Sequence, residues 1–247
     1  MTSSSVHRGG APNGAMTAGE SYVVFGGVGV GSTGVIELAS LNGSNGFEVY
    51  GVIHDNENLD GASGNSVSSA GDVNGDGIDD LIIGAIGGDP NGSIKFGNAG
   101  ESYVVYGGAD LGSSGVFGLG SLNGSNGFVL NGIDSGSLFR PGDSSGYSVS
   151  SAGDMNDDGI DDLIIGALRA DPNGNADAGE SYVVFGRDPS AGCLADLTAD
   201  GLLDFFDVSA FLDAFGIEDP TADFTNDGLF DFFDVSAFLD AFGSGCP

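Results

Sequence analysis

The chain repeats itself, and the period limits what it can build. AGESYVVFG at 18–26 returns as AGESYVVYG at 99–107 and again as AGESYVVFG at 178–186, at spacings of 81 and 79 residues. Between these copies LNGSNGF at Leu41 recurs at Leu122, and SVSSAGDVNGDGIDDLIIGA from Ser66 recurs from Ser148 as SVSSAGDMNDDGIDDLIIGA. A segment that returns at a fixed period with its turn residues in place is a supersecondary unit that stacks on its neighbours to bury a common core.

Each unit holds four short runs rich in β-branched and aromatic residues and bounded by Gly, Asn or Asp: the SVSS segment, DLIIGA, ESYVVFG, and GFEVYG or GFVLNG. Four strands per unit make a propeller blade, so the expected fold is mainly β. The 47 glycines follow no triplet period and read as turns between strands. The phase matters as well. APNGAMTAGESYVVFG at 11–26 aligns without a gap on DPNGNADAGESYVVFG at 171–186. Residues 1–186 are therefore expected to hold two strands of one blade, a full blade of four and three strands of another, nine in all. Closed propellers need at least four blades, and open sheet edges invite aggregation. The expectation is a partial propeller with further repeats upstream, or copies that associate to complete a ring.

The order GDxNxDGxDDLIIGA, then a DPNG loop, then AGESYVVFG resembles the FG-GAP repeat of integrin α-subunits and of many bacterial surface proteins. The likeness covers nearly all of residues 11–186. It implies a propeller displayed outside the cell or on its surface.

The blade carries a candidate metal loop. In Asp72-Val73-Asn74-Gly75-Asp76-Gly77-Ile78-Asp79-Asp80, the side chains of Asp72, Asn74, Asp76 and Asp80 and the carbonyl of Ile78 can offer oxygens to one cation, and Gly77 allows the sharp turn. The second copy keeps every donor: Asp154, Asn156, Asp158, Ile160 and Asp162. Oxygen donors without His or Cys select Ca²⁺. Turn chemistry alone explains the glycine and one Asn, but not four spaced acceptors used twice. Asp79 and Asp161 are expected to face solvent, because adjacent side chains at a strand start point to opposite sides.

Past a linker at 187–192, residues 193–247 carry a second repeat of period 27. Two twelve-residue loops offer Asp196, Thr198, Asp200, the Leu202 carbonyl, Asp204 and Asp207, and Asp223, Thr225, Asp227, the Leu229 carbonyl, Asp231 and Asp234. After each loop comes a helical pattern, Val208, Phe211, Leu212 and Phe215 in one and Val235, Phe238, Leu239 and Phe242 in the other, with Gly216 and Gly243 as stops. Cys193 and Cys246 bracket this stretch, and with no CxxC or Cys/His cluster nearby they read as one disulfide, worth about 4 kcal/mol by chain entropy. Such a bond implies an oxidising compartment, yet MTSSSVHRGGAPNG has no signal-peptide core and no segment reaches membrane-spanning length.

Loop then helix, twice, without an entering helix, resembles a dockerin, and Gly192-Cys193 and Gly245-Cys246 make it similar to the GC type found in secreted bacterial proteins. The resemblance implies a cohesin-like receptor, and it places partner contacts at Phe205, Phe206, Phe232 and Phe233. Their aromatic character by itself favours core.

Thirty-six acids against five Lys and Arg disfavour nucleic acid and anionic lipid as partners and favour divalent cations. Seventeen of those acids sit in the four loops, a placement that points to ligation rather than a merely solvated surface. Gly142-Asp143-Ser144-Ser145-Gly146 fits the GxSxG pattern of serine hydrolases, but the preceding repeat has Ala62 at the nucleophile position and no helical pattern follows. The only histidines are His7 and His54. NGS at Asn42, Asn91 and Asn123 is what NG-rich turns produce by composition. The expected function is a non-catalytic, calcium-binding adhesion or recognition scaffold outside the cell, with a protein or glycan as the propeller's ligand. The alternative is a piece of a dockerin-anchored hydrolase whose catalytic part lies upstream.

Overall fold

The β-rich runs pair into three small sheets in the computed structural model, which describes residues 18–52, 62–90, 98–136, 142–187, 195–198, 203–225 and 227–244. The first sheet is β1 (Glu20–Val24), β2 (Gly46–Tyr50) and β6 (Val116–Gly118). The second orders β3 (Ser63–Gly71), β4 (Asp80–Ala85), β5 (Glu101–Val105) and β7 (Gly127–Asn131) as β3-β4-β5-β7. The third orders β8 (Ser145–Gly153), β9 (Asp162–Ala167) and β10 (Glu180–Val184) as β10-β9-β8. The fold is mainly β, and no closed barrel is formed among the described residues. Strand division by sheet is two, four and three as expected, plus β6. This strand comes out of the β5–β7 connection and pairs in parallel with β2 of the preceding sheet. Three residues between glycines show no period, so sequence patterning passes it over.

Alternation along each strand builds two cores between the three sheets. Ile83, Ala85, Tyr103 and Val105 face Val23, Phe47 and Val49 on one side of the middle sheet. Ile82, Val104, Ala70 and Val73 face Leu163 and Ile165 on the other. Main-chain bonds tie successive sheets at equivalent places, Ser63 N–H to the Ala18 carbonyl at 3.1 Å and Ser145 N–H to the Ala99 carbonyl at 2.9 Å. That approach explains the glycine of AGESYVV. A Cβ on Gly19 or Gly100 would lie 2.1 Å from the Ser63 or Ser145 carbonyl oxygen, and both have positive φ, +79° and +82°.

In each ESYVV copy the glutamate and tyrosine share one strand face, and the hydroxyl donates to the carboxylate: Tyr22 to Glu20 at 2.7 Å, Tyr103 to Glu101, and Tyr182 to Glu180. Burial first, and then the adjoining glutamate's charge and hydrogen bond, push all three hydroxyls well above the ordinary tyrosine range. The folded chain thus keeps protons that the unfolded chain releases near pH 10, and stability is lost as pH rises from there through the folded-state values. Absorbance at 295 nm during alkaline titration is expected to show these three of the six tyrosines ionising only as the sheets melt. Six tyrosines titrating near pH 10 with the sheet signal intact would contradict this.

The chain divides at Gly186/Arg187 into two compact units. The second unit holds α1 (Phe205–Gly216) and α2 (Phe232–Ser244). Phe211 and Phe238 stack at 4.1 Å and 7°, and Phe224 stands edge-on to both. Val208, Phe215, Phe230 and Phe242 pack around them. Two helical expectations are corrected. Leu212 and Leu239 are exposed, because the helices bury a narrow stripe of positions 208, 211 and 215 and their counterparts rather than the wider i+4 face. Gly216 is the last residue of α1 rather than its stop, with the turn made at Ile217 and by Glu218 at φ +54°, and α2 runs past Gly243 to Ser244. Among the described residues no helix is long and apolar enough to cross a membrane.

Candidate metal loops

Three of the Asp-rich loops, those from Asp72, Asp154 and Asp223, share one local scheme, built from side-chain oxygens accepting backbone N–H groups. At the loop start a bond from position 6 back to the carboxylate of position 1 curls the chain: Gly77 N–H to Asp72 at 2.7 Å, Gly159 to Asp154 at 2.8 Å, and Gly228 to Asp223 at 2.9 Å. Position 5 adds a second bond in two of them, Asp158 N–H to Asp154 at 3.0 Å and Asp227 N–H to Asp223 at 3.1 Å. Position 7 then donates to position 5, Ile160 to Asp158 at 2.9 Å and Leu229 to Asp227 at 2.8 Å. The Asn at position 3 accepts from the N–H of position 5, Asp76 to Asn74 at 3.0 Å and Asp158 to Asn156 at 3.3 Å. A blade loop and a helix-module loop have thus reached the same bonding, because both spend the N–H groups of a tight turn on the first acid.

The last acid of each loop does something different. Asp80, Asp162, Asp207 and Asp234 are fully buried. Asp80 accepts from Val73 N–H at 3.0 Å and from Gly107 N–H, at the exit of β5, at 2.7 Å. Asp162 does the same with Met155 and Gly186, at 2.7 and 2.9 Å. Asp207 accepts from the backbone of Thr198 at 3.0 Å and of Asp204 at 2.9 Å, and Asp234 from Thr225 and Asp231 at 3.0 and 2.9 Å. Burial pushes the Asp207 carboxyl up, but its backbone and Thr198 bonds outweigh burial and hold it below the usual carboxylate range. Backbone bonds, that of Asp231 first, do the same at Asp234. Asp204 caps α1, accepting from Phe206 N–H at 2.7 Å, and Asp207 returns the bond to complete a capping box. Asp231 accepts from Phe233 N–H at 2.8 Å in the repeat of that scheme.

Asp161 is not solvent-facing. Its Oδ2 accepts the N–H of Asp72 at 3.1 Å, and its own N–H donates to the Asp72 carbonyl at 3.0 Å, joining the third sheet's loop to the second's. The side chain fills the space over Gly71, where a Cβ would come within 2.0 Å of it. Asp79, at the same loop position, is exposed as expected. Neighbouring loops make position 161 an inter-blade contact, a relation that spacing within one loop cannot reveal. Asp200 and Leu202 of the third loop, and Cys193 and Cys246, lie outside the described residues.

The donor set fits a hard cation in its chemistry: carboxylate, amide and carbonyl oxygens with an excess of negative charge, and a second lone pair on each oxygen that already accepts one N–H. In the geometry itself, no three His, Cys, Asp or Glu side chains stand grouped as a metal site among the described residues. Held by backbone N–H groups, the carboxylates serve the turns first.

Phe205, Phe206, Phe232 and Phe233 are exposed, and within each pair the rings meet edge-on at 6.3 and 6.4 Å. The core reading of these four is thereby set aside; Phe211, Phe224 and Phe238 fill that core instead. At the GxSxG segment Ser144 is buried at φ +53°, and it leads into strand β8 rather than a helix, unlike a nucleophile elbow. Ala62 takes the same left-handed place, φ +46°, before β3. The exposed Asn42 and Asn123 each accept the backbone N–H two residues on at 3.0 Å, the turn chemistry that accounts for their NGS sequences.

Two stretches, residues 63–105 and 145–184, match the FG-GAP repeat family. They are the β3–β5 and β8–β10 segments, each with its Asp loop. The match does not extend past residue 184. No curated protein matches the sequence.

Proposed function

We propose that this chain, an integrin-like propeller scaffold in its FG-GAP repeats, is a secreted, calcium-binding, non-catalytic recognition or adhesion protein of the cell surface, tethered through its C-terminal unit to a cohesin-like receptor. The observation that carries the calcium reading is the bond from position 6 to position 1, found at Asp72, Asp154 and Asp223 alike. It curls the chain back onto the first acid in these three loops. Asp72, Asn74, Asp76, the Ile78 carbonyl and Asp80 would hold one ion, and Asp154, Asn156, Asp158, the Ile160 carbonyl and Asp162 another. The two twelve-residue loops would hold one each, about four in all. Bound Ca²⁺ supplies the positive charge that relieves the repulsion of three or four carboxylates per loop. Exposure of Phe205, Phe206, Phe232 and Phe233 supports the docking role, since paired aromatic rings left in water at the head of each helix suit a partner's pocket.

Calorimetric titration of the chelator-treated chain, with thermal melts alongside, tests the reading. The expected result is uptake of about four Ca²⁺ at roughly 10⁻⁴ to 10⁻³ M, with a melting midpoint that rises with Ca²⁺ more than with Mg²⁺. An unchanged midpoint and no binding heat at millimolar Ca²⁺ would remove it.

A further inference from the structure

ESYVV stands three times in the chain, and two of the three copies carry a Gly-Phe strand along the same edge. β1 pairs with β2 from Glu20↔Tyr50 to Val24↔Gly46, and β5 pairs with β7 from Glu101↔Asn131 to Val105↔Gly127, in one antiparallel register. Each pairing continues by one main-chain bond, Phe25 N–H to Asn45 at 3.0 Å and Tyr106 N–H to Asn126 at 3.1 Å. Each also seats an aromatic pair at the same place, Phe25 with Phe47 at 5.8 Å and Tyr106 with Phe128 at 6.0 Å.

β10 has the same sequence and ends its sheet. β9 lies along one side, and among the described residues no strand lies along the other. Phe185, counterpart of Phe25 and Tyr106, is 59% exposed and makes no ring pair among the described residues, and Val183 beside it lies with its cross-strand partner Ile164 on an exposed face of the sheet. No Lys or Pro protects this edge, the usual safeguards of an exposed strand.

We propose that the open edge of β10 docks an extended segment of a partner protein with the pattern Gly-Phe-x-(Val/Leu), added antiparallel as a fourth strand with its Phe on Phe185. The two filled edges define the guest: Gly46-Phe47-Glu48-Val49 and Gly127-Phe128-Val129-Leu130. Main-chain bonds supply affinity, and the alternate side chains supply selection. A second copy of this chain is a poor donor, because its β2 lies between β1 and β6 and its Phe128 packs into the core between the second and third sheets. With a formal charge of −31, the chain favours a neutral or basic segment.

The probe is a fluorescent synthetic peptide of residues 122–132, LNGSNGFVLNG, titrated with the full chain and read by anisotropy. Saturable one-to-one binding is expected, weakened on the order of tenfold or more by Phe128→Ala in the peptide. Val183→Lys in the chain, at an exposed position, should abolish binding while leaving the melting midpoint in place. Phe185→Ala, which removes only an exposed ring, is the second variant and should weaken binding in the same direction. No saturable binding, or equal binding by the wild type and both variants, would overturn the proposal. So would sedimentation showing a dimer that Val183→Lys converts to monomer, because a second copy would then fill the edge.

Discussion

Phe211→Ala, and separately Phe238→Ala, is expected to melt both helices of the C-terminal unit at room temperature. The two rings stack at 4.1 Å and are the largest fully buried side chains there. Removing one costs about 3–5 kcal/mol in lost burial and cavity. A core in a unit this small supplies roughly the same amount in total, so there is no margin left. Helical ellipticity at 222 nm of the full chain is the readout, with Phe205→Ala as the comparison, since that ring is exposed and its loss should change stability by no more than about 0.5 kcal/mol. Equal ellipticity and midpoint for Phe211→Ala and Phe205→Ala would show that the stacked pair is not what holds the helices.

Asp80→Ala and Asp162→Ala are expected to destabilise the sheets even in chelator. Each carboxylate is buried and accepts one N–H from its own loop and one from the exit of the next strand, Gly107 or Gly186. Alanine leaves two N–H groups without that acceptor. Bonds to a charged acceptor are worth about 1.5–3 kcal/mol each, so a loss of about 2–4 kcal/mol follows after partial relaxation. Asp79→Ala, at an exposed neighbour, is expected to stay within about 0.5 kcal/mol of wild type. Urea melts in EDTA separate this structural role from any metal. If Asp80→Ala and Asp79→Ala melt alike there, the closing acids owe their place to a cation alone.

Much of the blade was legible because strand identity is a local matter. ESYVV, DLIIGA and GFVLN are short runs rich in β-branched, aromatic and aliphatic residues, set between Gly, Asn and Asp, and they pair in the order the repeat implies. The helices were legible for the same reason, yet their buried width was not. Leu212 falls within the apolar arc of α1 and is nevertheless exposed, because only the packed neighbour decides how wide a stripe is covered.

The Asp loops divide along the same line. Spacing alone marked which residues carry oxygens, since a turn that must bend at Gly77, Gly159 or Gly228 places its acceptors by chain geometry. What each oxygen accepts was settled elsewhere in the fold. Asp80 reaches the end of β5 and Asp161 reaches Asp72 of the neighbouring loop, contacts 27 and 89 residues apart in sequence. Strand β6 and the open edge of β10 belong to this second kind. Three identical ESYVV copies cannot differ by themselves, so whether each is covered is decided only by what the folded chain brings beside it.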